Sequence, residues 1–330
     1  MRLRTIIVGC GWAGNQHAQM IKKHGRAQIA AVVDSDRQSA EALGAKLGVP
    51  ALRSVEEALS TVDFTAANVC TPTETHFSIC KHLIEAGKHI LCEKPLTLHM
   101  DQGYALAGLA RKHQVDIKVN FNQRYASPIQ RLKELIDGDG PIHMVKIAMY
   151  QHPPQVDSAT AKSFLITDAC CHLIDTILFL NGDIEEVHAY GNMLDSDILS
   201  SVTVNLRFAN NSVGTLSNTF VGGLLDSQHP FQDLEVVTGQ TRYVVDNLYD
   251  GLFIYPHDDL YQKKWLPSVF QPRSYEASMQ ASIGAWIDAV LDGSGVAPGV
   301  EEAVKNLEVV HGIMRSLETE SAVKLGLEQP

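Results

Sequence analysis

The chain has no apolar run near the roughly 20 residues that cross a bilayer, which excludes a membrane partner of the spanning kind. Its first residues, Met1-Arg2-Leu3-Arg4, lead straight into an apolar strand instead of a charged, apolar and cleavable leader, so a cytoplasmic location is expected. Positive charge is scarce: 27 Lys and Arg stand against 38 Asp and Glu, a net charge of −11. That balance repels a phosphate backbone, and pairs such as Lys22-Lys23 and Lys263-Lys264 are too short for a nucleic-acid footprint. Cysteine is sparse too. The six at positions 10, 70, 80, 92, 170 and 171 form no C-x-x-C pair and no regular framework, and are expected to be reduced. Neighbours on a helix point about 100° apart, so Cys170 and Cys171 are read as packing residues rather than a metal or redox pair. Internal repeats and low-complexity segments are absent from the sequence.

What remains is ordinary globular composition, 45% hydrophobic and 20% charged over 330 residues, a length at which one core normally gives way to two domains. The most informative segment comes first. Ile6-Ile7-Val8 runs into Gly9-Cys10-Gly11-Trp12-Ala13-Gly14, a strand followed by G-x-G-x-x-G. In that pattern Gly9 permits the tight turn, Gly11 lets backbone approach a pyrophosphate, and Gly14 lets the next helix lie close to the strand with its N-terminal dipole facing phosphate. A helical run from Asn15 to His24 and a second strand, Ile29 to Val33, end in Asp34, about 20 residues beyond the last glycine. A carboxylate there accepts the ribose hydroxyls and repels a 2′-phosphate, which favours NAD. Arg37, close behind, keeps NADP open.

Strands at 66–70, 89–92 and 116–120, with helices near 37–47, 75–86 and 99–113, make five strands of a doubly wound parallel sheet. Ligands of such sheets lie outside the carboxyl ends of the strands, so Cys70-Thr71-Pro72, Glu93-Lys94-Pro95 and Asn120-Phe121-Asn122 are expected to line one cleft. Beyond Arg124 the pattern changes. A helix near 127–137, a strand at 142–150 and a helix from Asp168 to Leu180 precede strand-like runs at 187–190, 201–208, 212–219, 234–238, 242–246 and 253–255, joined by turns such as Ala209-Asn210-Asn211. Two further helices, 275–291 and 300–317, are separated by Asp292-Gly293-Ser294-Gly295. The expectation is an α/β protein with a Rossmann dinucleotide-binding domain at 1–122 and, at 123–330, an α/β domain with an open, mostly antiparallel sheet.

Two groups of residues carry chemistry. Lys94 follows a buried strand, with Pro95 fixing the turn after it, and desolvation there would let an ammonium polarise a substrate hydroxyl or exchange a proton with it. Asp168, His172 and Asp175 are spaced i, i+4 and i+7, one face of an α-helix whose other residues are apolar. His172 is suited to take a hydroxyl proton as hydride leaves the same carbon, with Asp168 positioning substrate or ring. Asp-x-x-x-His also suits a metal, but no third ligand has an obvious place, and none is expected. Polar residues able to reach a polyol are Asn122, Gln123, Arg124, Tyr150, Gln151, His152 and His229.

The glycine turn, Thr71-Pro72-Thr73-Glu74-Thr75-His76, Glu93-Lys94-Pro95 and the Asp168 to His172 segment, in that order, resemble the Gfo/Idh/MocA family of glucose-fructose oxidoreductases and inositol dehydrogenases. The resemblance implies a Rossmann domain followed by an α/β domain whose open sheet often makes dimer or tetramer contacts. It also implies NAD(P)-dependent oxidation or reduction of a sugar or cyclitol carbon. It maps the family's E-K-P lysine on Lys94 and its D-x-x-x-H pair on Asp168 and His172; Arg124-Tyr125 resembles its R-[YF]. One departure stands out: where the family commonly has a glycine triplet, this chain reads Lys162-Ser163-Phe164-Leu165-Ile166-Thr167. Side chains there are expected to narrow the pocket or shift the helix start.

The residues expected to hold cofactor are therefore Gly9, Gly11, Trp12, Ala13, Gly14, Asp34, Arg37, Thr71, Pro72, His76, Glu93 and Lys94. Those expected to meet substrate are Lys94, Asn122, Arg124, His152, Asp168 and His172, with Lys94, Asp168 and His172 catalytic. The leading expectation is an oxidoreductase for a sugar, cyclitol or related polyol, working as a homodimer or homotetramer. The alternatives are a glycosidase that uses bound NAD and a noncatalytic nucleotide-binding regulator.

Overall fold

A computed structural model describes residues 2–152, 164–193, 199–220, 231–258, 262–267 and 274–326. The chain folds as two compact units, Met1–Phe121 with Met279–Leu307, and Asn122–Ser278 with Glu308–Pro330.

In the first unit the strands are β1 (Leu3–Val8), β2 (Ala27–Val33), β3 (Ala51–Leu52), β4 (Ala66–Val69), β5 (His89–Cys92) and β6 (Ile117–Val119). They pair in parallel in the order β3-β2-β1-β4-β5-β6. Helices α1 (Trp12–Lys23), α2 (Arg37–Leu47), α3 (Val55–Thr61), α4 (His76–Glu85) and α5 (Met100–His113) make the crossovers. Strands covered on both faces are mostly apolar, as in Ile6, Ile7 and Val8, which are buried. The chain leaves β1 in one direction and returns to β4 in the other, so the crevice at the carboxyl ends of these two strands is the place where a doubly wound sheet binds its ligand.

A sixth strand, β3, and helix α3 lie between the second helix and the third predicted strand, where the sequence reading places no element. Two residues of strand are too few for a periodicity to register, but α3 has a local signature. Ser54 Oγ accepts from Glu57 N at 3.2 Å, and Glu57 Oε2 accepts from Arg53 N at 2.8 Å, a variant of the Ser-x-x-Glu capping box.

The C-terminal helices correct the expected boundary. The sequence places α8 (Tyr275–Asp292) and α9 (Val300–Thr319) whole in the second domain, yet residues 279–307 belong to the first unit. The reasons are polar as well as apolar. Lys118, buried on β6, donates to Ser282 Oγ at 2.6 Å and to its carbonyl at 3.1 Å; Arg26 pairs with Asp288 and Asp292, both at 2.6 Å; and Leu307 and Val304 pack over Gly103.

The second unit holds α6 (Ser127–Ile136), β7 (Ile142–Tyr150), a π-helical turn at Leu165–Cys170, α7 (Cys171–Asn181), β8 (Ile184–Met193), β9 (Leu199–Phe208), β10 (Val213–Thr219), β11 (Phe231–Thr238), β12 (Thr241–Asp246), β13 (Gly251–Pro256), β14 (Lys263–Trp265) and β15 (Val323–Lys324). Its nine strands run β14-β13-β12-β11-β7-β10-β9-β8-β15, antiparallel except for β7 beside β10. Alternation sets the two faces: Val145, Ile147 and Met149 of β7 are buried, whereas Lys146 and Tyr150, at the alternate positions, are exposed. α7 packs on β7, and α6 on β12 and β13. The other face carries Tyr150, Tyr190 and Val213, all among the exposed large apolar side chains.

Candidate functional site

The cleft of the first unit begins with a contact that only glycine allows. A Cβ on Gly14 would lie 1.9 Å from the Gly9 carbonyl oxygen, so α1 abuts the turn backbone to backbone. Gly9 has φ +94°, the left-handed region, and a Cβ on it would lie 2.6 Å from the Cys70 carbonyl oxygen. Gly11 differs. A Cβ there would meet nothing within 4 Å, which leaves an open approach to the backbone beside the N-terminus of α1. That terminus has no side-chain cap and no acidic residue in its first turn, so its N–H groups and dipole are presented to an anion.

A cleft of about 770 Å³ opens here, lined by Gly9, Gly11, Asp34, Ser35, Thr71 and Pro72 together with Arg53, Ser54, Val55 and His82. Asp34 is held by two backbone donors, Cys10 N to Oδ2 at 2.7 Å and Asp36 N to Oδ1 at 2.9 Å. The last four lining residues come from β3–α3 and α4 and were not expected. The open backbone at Gly11, the uncapped helix and the fixed carboxylate fit a pyrophosphate with a ribose beside it, and these residues would hold NAD.

Other residues expected at the cofactor have different work. Arg37 Nε donates to Glu41 Oε1 at 2.6 Å, one turn on, and is absent from the cleft lining. His76 is buried, its Nδ1 2.9 Å from the Pro95 carbonyl and its Nε2 2.9 Å from the Thr71 carbonyl, so it ties two cleft loops together from behind. Trp12 is 64% exposed and Ala13 half-buried at the start of α1. Glu93 turns inward. Its Oε1 accepts from His17 Nε2 at 2.7 Å and from Asn120 Nδ2 at 2.8 Å, and its Oε2 from the backbone N–H of Lys94 at 3.3 Å. Lys94 itself is half-buried at the carboxyl end of β5.

Burial alone would raise the Glu93 carboxyl, but the hydrogen bond and charge of His17, then Asn120 and the charge of Lys94, bring it down to about 2. Burial works against the His17 imidazolium in turn, yet the Cys70 sulfur and the Glu93 carboxylate beside it hold its pKa well above the ordinary value. Cys70 and Cys92 are pushed up, chiefly by burial. His17 was missed because a histidine on a helix is unremarkable alone. Asn68, its other partner, did leave a signal, as the polar residue in the buried run Ala66-Ala67-Asn68-Val69.

In the second unit the helix expected to start at Asp168 starts earlier and differently. Residues 165–170 form a π-turn and the α-helix proper begins at Cys171. The widened turn is supported from the sheet, where Asn218 of β10 donates to the Leu165 carbonyl at 3.2 Å and receives Gln151 Nε2 on its Oδ1 at 3.1 Å. Asp168 is half-buried and His172 is 9% exposed. The three-residue stripe does not act as one: Asp175 is buried in a two-pronged ion pair with Arg124, Nε to Oδ2 at 2.9 Å. Arg124 also lies over the Phe179 ring at 4.9 Å. Arg124 was expected at substrate; the structure shows it as a framework element, a guanidinium sunk against a buried carboxylate whose partner charge would be stranded by its loss. Asn122 is likewise buried, donating to Ser278 Oγ at 2.9 Å. His152 is exposed after β7; His229, Lys162 and Ser163 lie outside the described residues. Among the described residues no group of three or more His, Cys, Asp or Glu is placed to hold a metal ion.

Two family models match the chain: the Gfo/Idh/MocA oxidoreductase family, NAD-binding Rossmann fold, over residues 3–121, and the Gfo/Idh/MocA C-terminal domain over residues 129–236. The chain belongs to this family. It is an NAD-binding oxidoreductase of the α/β class, with the Rossmann sheet and the open, mostly antiparallel sheet found above. Among family relatives, the myo-inositol 2-dehydrogenase of Thermotoga maritima is 26% identical over 98% of each chain. The UDP-N-acetylglucosamine 3-dehydrogenase of Acidithiobacillus ferrooxidans is 29% identical over 77% of each. In fold, the chain matches the crystal structure of an oxidoreductase from Agrobacterium radiobacter in complex with NAD+, L-tartaric acid and magnesium, with TM-score 0.89, 17% identity and 98% of each chain covered.

The two glycines of the turn are predicted to separate. Gly11→Ala keeps the melting temperature and weakens NADH binding by about tenfold, ~1.4 kcal/mol, as a methyl enters the open approach. Gly14→Ala costs on the order of 3 kcal/mol of stability, because backbone must move. Calorimetry and an NADH titration read by Trp12 fluorescence test both; equal destabilisation by the two would refute the assignment. The His17–Glu93 pair predicts two pH limits. Glu93, held low, contributes stability that is present above about 4.3 and lost as pH falls through its folded pKa of about 2. His17, held high, contributes stability that is full below about 6.5 and lost as pH rises through its folded pKa. Melting temperatures from pH 5 to 10 should fall on the alkaline side in the native protein, with less slope in His17→Gln; identical slopes would contradict the charged pair.

Proposed function

We propose that this oxidoreductase acts on a secondary alcohol carbon of a cyclitol or sugar, with NAD as hydride acceptor and Lys94 as the group that exchanges the hydroxyl proton. The observation that carries the reading is the place of Lys94, at the carboxyl end of β5 and next to a carboxylate anchored in the interior. The near full-length similarity to a myo-inositol 2-dehydrogenase supports the substrate class. NAD, when bound, supplies the hydride acceptor. The chain's residues do the rest: Gly9, Gly11 and the α1 terminus take the pyrophosphate, Asp34 takes the ribose hydroxyls, and Thr71 and Pro72 line the cleft. NAD is favoured over NADP because the Asp34 carboxylate is fixed in place and Arg37, the nearby cation, is engaged by Glu41. Asp168 and His172 are assigned to the substrate, Asp168 to position it and His172 to share proton transfer.

The test is a panel of myo-inositol, free hexoses and UDP-N-acetylglucosamine, each with NAD+ and NADP+, followed by NADH or NADPH absorbance. Turnover of at least one alcohol with NAD+ is expected. Lys94→Ala should lower kcat at least about 100-fold while NADH still binds, and Asp168→Ala and His172→Ala should each lower kcat/KM. Glycoside cleavage without net NADH would instead support the bound-cofactor glycosidase, and full turnover by Lys94→Ala would sink the mechanism.

The face of the nine-stranded sheet that carries the exposed Tyr150, Tyr190 and Val213, and on which no described helix packs, is assigned to a second copy of the chain, and the protein is assigned to the cytoplasm. Light scattering should give a mass of two or four chains; a single-chain mass would remove that assignment.

A further inference from the structure

A file of buried polar groups crosses the first unit beneath Lys94, and its donor direction is set at both ends. At one end the Lys118 ammonium donates to Ser282 Oγ at 2.6 Å, so that hydroxyl donates onward to Asn120 Oδ1 at 2.8 Å. With its oxygen so engaged, Asn120 turns its amide nitrogen to Glu93 Oε1. At the other end Thr5 Oγ1 donates to the Ile6 carbonyl and accepts from Asn68 Nδ2 at 2.9 Å, which leaves Asn68 Oδ1 facing His17 Nδ1 at 3.1 Å. His17 therefore has the Asn68 amide oxygen at Nδ1 and, at Nε2, the Glu93 carboxylate at 2.7 Å, nearer than the Asn120 Nδ2 at 3.3 Å that donates to the same carboxylate oxygen; both acceptors are satisfied when both nitrogens carry hydrogen. The ring is fully buried.

We propose that His17 is a positioning residue for Lys94: as a buried imidazolium it anchors the Glu93 carboxylate and offsets its charge, so that Glu93 orients the Lys94 peptide while its pull on the Lys94 ammonium is weakened. This rests on the role of Lys94 given above. Glu93 alone beside Lys94 would favour the ammonium and oppose proton exchange; the His17 charge on the far side of the carboxylate offsets that. The directions found for both groups agree, Glu93 held low and His17 high. Among the described residues the other titratable groups around the pair are Cys70, just after β4, whose sulfur also favours the His17 charge while burial pushes its own thiol up, Cys92 at the end of β5, likewise pushed up by burial, and Lys118, which reaches the pair through Ser282 and Asn120.

The test reads the Lys94 ammonium directly, in the NADH-loaded full-length protein, by competitive acetylation across pH with mass spectrometry of the Lys94 peptide. His17→Gln keeps a donor towards Glu93 but removes the charge, and should raise the apparent pKa of Lys94 by on the order of one unit. Glu93→Gln should lower it by a similar amount, and the double variant should return near the native value. A merely structural role for His17 does not give shifts of opposite sign. Shifts of one sign, or none in folded variants, overturn the proposal. Should His17→Gln fail to fold, 15N spectra of the native protein at pH 8 decide: two protonated ring nitrogens on His17 support the charged pair, and a single one overturns it. Lys94→Ala turnover, measured separately, reports on the catalytic reading; its failure leaves the acetylation shifts intact, and failure of the shifts leaves the need for Lys94 intact.

Discussion

The first unit depends on the approach of α1 to the β1 turn, where a Cβ at Gly14 would fall 1.9 Å from the Gly9 carbonyl oxygen. Because the helix lies that close, its uncapped first turn opens on the crevice between β1 and β4 rather than on solvent. The same closeness drives the next inward-facing residue of α1, His17, through the layer of side chains to Asn68 and Glu93. One steric condition thus has two consequences on opposite sides of the sheet end. Outward, it exposes backbone donors to a pyrophosphate; inward, it delivers a polar ring to the loop that carries Lys94.

That inward polarity has a cost which explains its form. An imidazole or carboxylate without partners in such a place would be strongly unfavourable, and a pair missing one member nearly as much so. Here every atom of the file from Lys118 to Thr5 that the geometry engages has a partner of the right kind, and the charges of His17 and Glu93 cancel. The second unit repeats the solution with Arg124 and Asp175, whose pair holds the segment after Phe121 against α7. In both cases the ions sit inside the framework.

Legibility in the sequence followed these same physical lines. The parallel sheet was readable because its strands are apolar on both faces, and the open sheet because β7 and β9 alternate. β3 was not, since two residues carry no period, and residues 279–307 were assigned to the wrong unit because amphipathicity says that a helix packs but not on what. At the cleft, the glycine turn and the fixed Asp34 carboxylate were readable as structure, because backbone geometry and local charge are what sequence encodes directly. The interior partners of Glu93, Arg124 and Asn122 were not legible, because a polar residue at a strand end looks the same whether its side chain turns outward to a ligand or inward to a partner far along the chain.

The π-turn at Leu165–Cys170 overlaps the segment in which the sequence departs from the family resemblance, and its supports come from the sheet. A helix start that needs its backbone displaced can achieve this with glycine's freedom, or by inserting a residue into the turn and supporting the released carbonyl from elsewhere. The second course is the one seen: Asn218 on β10 takes the Leu165 carbonyl, Gln151 orients Asn218, and Phe164 packs at 6.5 Å from Phe220. Asp168 is thereby carried on a turn whose geometry is imposed by the sheet below it, whereas His172 rides on the regular helix that follows. The two residues most alike in the sequence pattern are thus held by different means, and a change in the sheet at Asn218 would reach the first more directly than the second.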